Sequence, residues 1–338
     1  MSSFAWGLIG PGGIAQRFAE AVQHSAGMHL HSVWGRDAGR AGALAQRWAV
    51  AGKPAPQVAA SLAALLADPA VQGVYIATPH AQHAEFAAAA LRARKPVLCE
   101  KPLAPTLAQA QALVELSRQQ GVFLMEALWS RFLPSWGQLR QWLAAGDIGA
   151  VRAVQSSFCF PTSFDPQHRQ FNPALAGGAL LDIGLYNLAA TRWVLEPAPG
   201  QCPPARHISA QGVLAPTGVD MRVAGSLVFD GAVTSQFVCA LDCAAPNTLH
   251  VLGERGSITL PFPFWGATGA LLQRPGQPDL QVALPWAVNG FEYEAQAAVA
   301  AIGAGAIECA QMPHAETLAL AGWLDELRRQ VGVVYPFE

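Results

Sequence analysis

Three side chains in this sequence have the types and the spacing for moving a proton. The apolar run "VLC" ends at Cys99, and Glu100, Lys101 and Pro102 follow at once. Lysine is rarely buried without a partner, so one placed directly after a hydrophobic strand needs a reason. Further along, "GGALLDIGLYN" supplies Asp182 and Tyr186, four residues apart and therefore on one face of a helix. A helical tyrosine is ordinarily a core residue, yet Asp182, Gly184 and Tyr186 together make an odd core. A phenol that titrates near about 10, its ordinary value, is a poor base. A neighbouring ammonium favours the phenolate, and Lys101 is the lysine within a recognisable motif that could supply it.

The first half of the chain must position Lys101. "FAWGLIG", "MHLHSVWGR", "VQGVYIAT", "PVLCE" and "VFLMEA" read as strands, separated by helices such as "PGGIAQRFAEAVQH", "HAEFAAAALRAR" and "TLAQAQALVELSRQQG". Strands alternating with helices of this length give βαβ units and a parallel, doubly wound α/β sheet. The strands lack a polar face, as when helices cover both sides. Ligands bind outside the carboxyl ends of such strands. Lys101 is therefore expected at that crevice, with Thr78 and Pro79 of "YIATPHAQH" forming a small wall beside it.

The turn from the first strand into the first helix is a dinucleotide cradle. Gly10, Gly12 and Ala15 make G-x-G-x-x-A, with Gly13 and Ile14 inside it. The first glycine permits the tight turn and the second lets a pyrophosphate approach the backbone. Alanine at the third position still lets helix and strand pack closely. The helix N-terminus adds N–H groups and a positive dipole end. At the end of the second strand NAD sites usually carry an acidic residue. Here Gly35 and Arg36 stand, and a guanidinium suits a 2′-phosphate or stacks on adenine. NADP is thus the expected cofactor, and NAD stays possible should Asp37 turn inward.

Near residue 126 the pattern changes. A helix near 132–145 leads to "VRAVQSSFCF", and a second helix covers 180–195. The runs "HISAQGVL", "MRVAGSLVF", "AVTSQFVCAL", "TLHVLGE" and "SITL" then follow in quick succession. They predict an open, mostly antiparallel sheet, with two closing helices near 290–303 and 314–330. The expected division is a dinucleotide-binding domain over 1–126 and an α+β domain for substrate binding and oligomerisation over 127–338.

Composition sets the outer bounds. Hydrophobic residues are 52% and charged residues 13% of 338, enough for two sizeable cores. The longest stretch without Asp, Glu, Lys or Arg, Gly256–Gln273, holds two prolines and several glycines and makes a poor membrane span. The N-terminus enters an apolar strand with no basic leader, so a cytoplasmic protein without a membrane partner is expected. A net charge of -2 and no basic tract argue against nucleic acid. Six cysteines show no Cys-x-x-Cys pair, and His80 and His83 have no ligating partners nearby, so no metal site is expected.

The chain resembles the Gfo/Idh/MocA oxidoreductases nearly end to end. The resemblance is carried by "GLIGPGGIAQRFAEAV", "YIATPHAQHAEFAAAAL", "CEKPLA", "LMEALWSRFLP", "GGALLDIGLYNL", "GFEYEAQAAVAAI" and the terminal "YP". The pairing of "EALWSRFLP" with "GALLDIGLY" is most similar to the branch of dimeric dihydrodiol dehydrogenases and NADP-dependent aldose 1-dehydrogenases. It implies hydride transfer between nicotinamide and a carbohydrate-like or dihydrodiol hydroxyl or carbonyl, with Lys101 and Tyr186 in proton transfer and Asp182 beside them. It adds His83 and Glu100 to the cofactor set. For the substrate it implies Trp129, Arg131, Phe158, Arg169 and Trp265 as well as Asp182 and Tyr186, and it implies a homodimer built on the C-terminal sheet. "RARKPV" departs from the family, which usually has Gly before Lys95. Two other classes stay open: a non-catalytic NAD(P)-sensing regulator, and a redox-neutral glycosidase or isomerase using bound NAD. Retention of Lys101 and Tyr186 weighs against the first, and Arg36 against the second.

Overall fold

The computed structural model describes residues 3–338, in two units. The first comprises the chain up to Ala104 with Ala108–Trp129 and Ala287–Thr317. The second comprises Pro105–Leu107, Ser130–Trp286 and Leu318–Glu338.

In the first unit, β1 (Phe4–Ile9), β2 (Met28–Trp34), β3 (Gln57–Val58), β4 (Gly73–Ile76), β5 (Val97–Glu100) and β6 (Leu124–Ala127) form one sheet in the order β3-β2-β1-β4-β5-β6. All its pairings are parallel. Strands β1, β4, β5 and β6 are buried at every position, which is why their sequences do not alternate. Helices α1 (Gly13–His24), α2 (Ala38–Arg47), α3 (Leu62–Ala67), α4 (His83–Arg92) and α5 (Leu107–Gln120) make the crossovers. The order reverses between β1 and β4, the switch point at which such sheets bind ligands. Helix α8 (Phe291–Gly303) also belongs here. It contacts α1, with Arg17 of α1 over the buried Phe291 ring, so this late segment joins the first unit although it follows the second sheet in sequence.

The second unit is built on eight strands. They are β7 (Val151–Cys159), β8 (His207–Leu214), β9 (Asp220–Val228), β10 (Thr234–Ala240), β11 (Leu249–Gly253), β12 (Ser257–Leu260), β13 (Gly269–Gln273) and β14 (Leu280–Ala283). Their order is β14-β13-β12-β11-β7-β10-β9-β8. Every pairing is antiparallel except β7 with β10, which is parallel over seven residue pairs. Helices α6 (Pro134–Ala144) and α7 (Leu185–Leu195) lie on one face, and α9 (His314–Val331) ends the helical part of the chain.

Helix α7 is entered through a π-helical turn, Leu180–Gly184. The helical stretch Pro173–Leu195 is apolar enough to resemble a membrane span, but 89% of its most apolar window is buried. It is hydrophobic because it lies in the core against β7 and β10. Gly184 sits where a Cβ would come within 2.8 Å of Cys239 Sγ on β10, so the glycine sets how closely helix and sheet approach. Along β10, Ser235, Phe237 and Cys239 point to this covered side, while Thr234, Gln236 and Val238 are only partly covered or exposed.

Candidate active site

In the first unit the cradle is built by close approaches. Gly10 has φ +96 and ends β1 against Ala77 and Thr78, where a Cβ would lie 2.8 Å from Thr78 Cγ2. Gly12 is the N-cap of α1 and no side chain caps that helix. A Cβ on Gly13 would meet nothing within 4 Å. The first N–H groups of α1 thus face an open, glycine-lined turn, and the buried Thr78 Oγ1 has no hydrogen-bond partner. Unsatisfied donors at a helix N-terminus with an orphaned hydroxyl nearby fit a bound pyrophosphate. Ala15 is fully buried against the sheet, and Ile14 is 39% exposed on the first turn.

Gly35 has a reason that its sequence position does not show. A Cβ there would sit 2.3 Å from Pro11 Cδ, so the glycine accommodates the proline ring of the cradle. Arg36 and Asp37 are exposed. The Asp37 carboxylate accepts the Arg40 backbone N–H at 3.0 Å and caps α2.

Lys101 follows β5 directly, at the carboxyl end of the parallel sheet. Glu100 beneath it is 6% exposed and accepts hydrogen bonds from the Tyr75 hydroxyl and, at 3.2 Å, from the Lys101 backbone N–H. Glu126 on β6 accepts Leu103 N–H at 2.9 Å. Two buried carboxylates therefore hold the Glu-Lys-Pro loop by its backbone. Glu294 on α8 is also buried; burial first, then the Glu100 charge, push its carboxyl well above the usual range. Tyr75, Glu126 and Glu294 lie within segments that carry the resemblance, but no spacing in the sequence marks them as parts of this arrangement.

His83, expected against the cofactor, is fully buried and held at both ring nitrogens. Nδ1 lies 2.7 Å from Pro102 O and Nε2 2.9 Å from Thr78 O. Burial lowers its pKa, against the pull of those carbonyls. It bridges the loops that follow β4 and β5. Trp129 is 6% exposed and stacks on Phe291 at 5.0 Å, with the Arg17 guanidinium over both rings.

In the second unit the remaining candidates fall into two groups. Phe158, at the end of β7, stacks face to face on Trp265, with ring centroids 3.3 Å apart and planes inclined by 7°. Tyr186 lies 5.6 Å from Phe158 and 6.5 Å from Trp265. The Trp265 loop is held by α6 and the turn before it. Ser130 Oγ donates to Trp265 O at 2.5 Å, Ser135 Oγ to Ala267 O at 2.6 Å and Trp136 Nε1 to Phe264 O at 3.0 Å. Phe262, 67% exposed, extends this aromatic cluster and was not foreseen.

Asp182 stands on the π-helical turn one helical turn before Tyr186 and is 4% exposed. Arg169 donates to both its oxygens, at 2.9 and 3.2 Å, and Gln170 Nε2 donates to Oδ2 at 2.8 Å. The loop arginine is thereby tied to the helix. Arg131, also expected toward the substrate, is held in the core. It is 1% exposed, its Nη2 meets Glu196 Oε1 at 2.6 Å, and its guanidinium packs 4.6 Å over Trp193. Arg140 shares that carboxylate at 2.9 Å. A buried ion pair of this kind orders the core behind α7. Among the described residues no three His, Cys, Asp or Glu side chains gather as a metal site.

These two constructions match known proteins. Residues 4–128 match the GFO_IDH_MocA oxidoreductase family with its NAD-binding Rossmann fold, and residues 136–259 match the GFO/IDH/MocA C-terminal domain. The chain belongs to this family of oxidoreductases. It is 35% identical to trans-1,2-dihydrobenzene-1,2-diol dehydrogenase of Mus musculus, over 98% of each chain. It is 34% identical to the enzyme of that name from Danio rerio, over 98% of this chain and 97% of the other. Among solved structures it superposes with a TM-score of 0.83 on KijD10, a 3-ketoreductase of Actinomadura kijaniata in complex with NADP and TDP-benzene, 26% identical over 99% of each chain. The protein is therefore an NAD(P)-dependent enzyme acting on hydroxyl or keto groups.

Proposed function

We propose that the protein is an NADP-dependent dehydrogenase of a carbohydrate-like or dihydrodiol hydroxyl, with Lys101 and Tyr186 in proton transfer. The observation that carries the substrate reading is the Phe158–Trp265–Tyr186 aromatic cluster beside an anchored Asp182. Flat aromatic faces suit both a sugar ring and a dihydrodiol ring, and the phenol stands at their edge.

NADP, when bound, supplies the hydride-accepting nicotinamide. The open turn at Gly12 and Gly13 would hold its pyrophosphate, and Arg36 its 2′-phosphate. Asp37 supports that preference, because its carboxylate caps α2 and is already engaged by a backbone N–H. Lys101 is held by its backbone through Glu100. Tyr186 takes the hydroxyl proton in oxidation and returns it in reduction. Asp182, held by Arg169 and Gln170, accepts a hydrogen bond from a substrate hydroxyl.

The same reading includes a homodimer in the cytoplasm. The uncovered face of the eight-stranded sheet carries Gln155 donating to Gln236 at 3.0 Å, His250 bonded to Thr259 at 3.0 Å, and the partly exposed Val238 and Leu252. An open sheet face with mixed polar and apolar residues suits a second copy.

The test is a substrate screen. Purified protein is mixed with aldoses, trans-1,2-dihydrobenzene-1,2-diol and dicarbonyls, each with NADP(H) and NAD(H), and nicotinamide absorbance is followed. Net reduction of NADP+ by an alcohol supports the reading. Binding of the cofactor with no net turnover on any substrate would instead favour the sensing regulator.

A further inference from the structure

The helix that carries Asp182 and Tyr186 is preceded by two glycines with no room for a side chain. Gly177 N–H bonds to Asn172 O at 3.0 Å and Gly178 N–H to Gln170 O at 2.8 Å. A Cβ on Gly177 would lie 2.7 Å from Gln170 O and 2.8 Å from Arg169 O. Gly178 has φ +123, and a Cβ there would lie 2.2 Å from Asp220 Oδ1. The turn is clasped between the Arg169–Gln170 backbone and Asp220, and no other residue type fits at either position.

Two distant residues hold this turn from its two ends. Asp220, the first residue of β9 and fully buried, accepts Leu180 N–H on Oδ2 at 2.6 Å. Tyr335, in the tail after α9 and 1% exposed, donates its hydroxyl to Gly177 O at 2.7 Å. Arg328 packs 4.9 Å over the Tyr335 ring and is paired with Asp325 and Glu338, which fixes the tail on α9. Burial, then the Asp220 charge, raise the Tyr335 phenol well above its ordinary value, so it stays a donor. The hydrogen bonds of Asp220 and Tyr335 to this turn end on its backbone.

We infer that Asp220 and Tyr335 are positioning residues, a latch from β9 and the C-terminal tail that sets the height of the Asp182–Tyr186 helix. This rests on the proton-transfer reading of Tyr186. A misplacement of about 1 Å at a reacting group can cost on the order of 10²-fold in rate. An anchor that loosens the first turn therefore acts on turnover without touching a ligand.

The test uses the full chain, with Tyr335→Phe, Asp220→Ala and Asp220→Asn, and trans-1,2-dihydrobenzene-1,2-diol or the best aldose as substrate. Amide hydrogen exchange, which needs no substrate, should accelerate about tenfold in Tyr335→Phe over residues 177–187 and little elsewhere, matching one lost hydrogen bond. The kcat of Tyr335→Phe should fall about tenfold, with the KM for NADP+ within about twofold. Asp220→Ala should lose more, and Asp220→Asn should recover most of that loss, because an amide oxygen still accepts Leu180 N–H. In a Tyr186→Phe background, Tyr335→Phe should cause no further loss of turnover. Equal losses in both backgrounds, or unchanged exchange over 177–187, overturn the latch. Normal Tyr335→Phe turnover beside a crippled Tyr186→Phe removes the latch alone. Normal turnover in Tyr186→Phe removes the proton-transfer reading and the latch with it.

Discussion

Arg169 grips both carboxylate oxygens of Asp182, at 2.9 and 3.2 Å, while remaining half-exposed itself. A bidentate guanidinium–carboxylate pair fixes orientation as well as charge. It ties the loop after β7 to the helix of Tyr186. Arg169→Ala should lower kcat/KM about tenfold. That is the low end of the range for charged hydrogen bonds, since one side of the pair meets water. Arg169→Lys should restore little, because an ammonium cannot reproduce the fork. Steady-state kinetics on the three proteins decide it; a lysine variant equal to wild type would show that charge alone matters.

Lys101→Met and Tyr186→Phe should each leave NADPH binding within about tenfold and reduce turnover by about 10²–10⁴. Members of one catalytic unit are not additive, so the double variant should be little slower than either single one. Oxidation rate against pH is the deciding measurement. A Tyr186→Phe enzyme with the wild-type alkaline rise would make the tyrosine a packing residue.

Arg36→Ala should raise the KM for NADP+ far more than for NAD+. Gly35→Ala should damage the cradle itself, since the new methyl would overlap Pro11. Overpacking of this kind costs about 1–3 kcal/mol. Pro11→Ala should relieve much of it, and thermal denaturation of both single variants and the double one reads the rescue.

Stability should fall as pH rises from about 4 to about 7 through Asp220. Burial pushes its carboxyl up to about 7 in the folded chain, whereas an unfolded Asp titrates near about 3.9. Between those values the unfolded chain has released its proton and the folded chain keeps it. The folded state is then disfavoured progressively, by up to about 4 kcal/mol above both values. Asp220→Asn removes this dependence. Urea midpoints at acidic and neutral pH should converge for the variant relative to wild type.

A charge on the uncovered sheet face should break the proposed dimer. Val238→Asp, pointing away from the α7 side, should convert the protein to a species of one-chain mass in light scattering. A wild type that already scatters as a single chain at micromolar concentration refutes the dimer.

Much of this molecule is written locally. Strands β1, β4, β5 and β6 are continuous apolar runs because both faces are covered, and the glycines of the first turn are forced by backbone geometry. These features depend on near neighbours in the chain, so they are legible there. The same holds for Lys101 at a strand end and for Asp182 and Tyr186 one helical turn apart. What the sequence could not show depends on side chains meeting across long separations. Arg131 and Arg169 both have aromatic residues nearby in sequence, yet one is buried against Glu196 and the other holds Asp182. The approach of Thr78 O and Pro102 O to the two ring nitrogens of His83 likewise has no signal in the spacing. Phe158 and Trp265 are more than a hundred positions apart and still stack. Helix α8 follows the second sheet but contacts α1. The anchoring of the Tyr186 helix by Asp220 and Tyr335 joins residues far apart in the chain, and no spacing announces it. Period and turn chemistry settle which elements form; the pairing of buried polar groups is settled only when the chain has folded and each donor has found its acceptor.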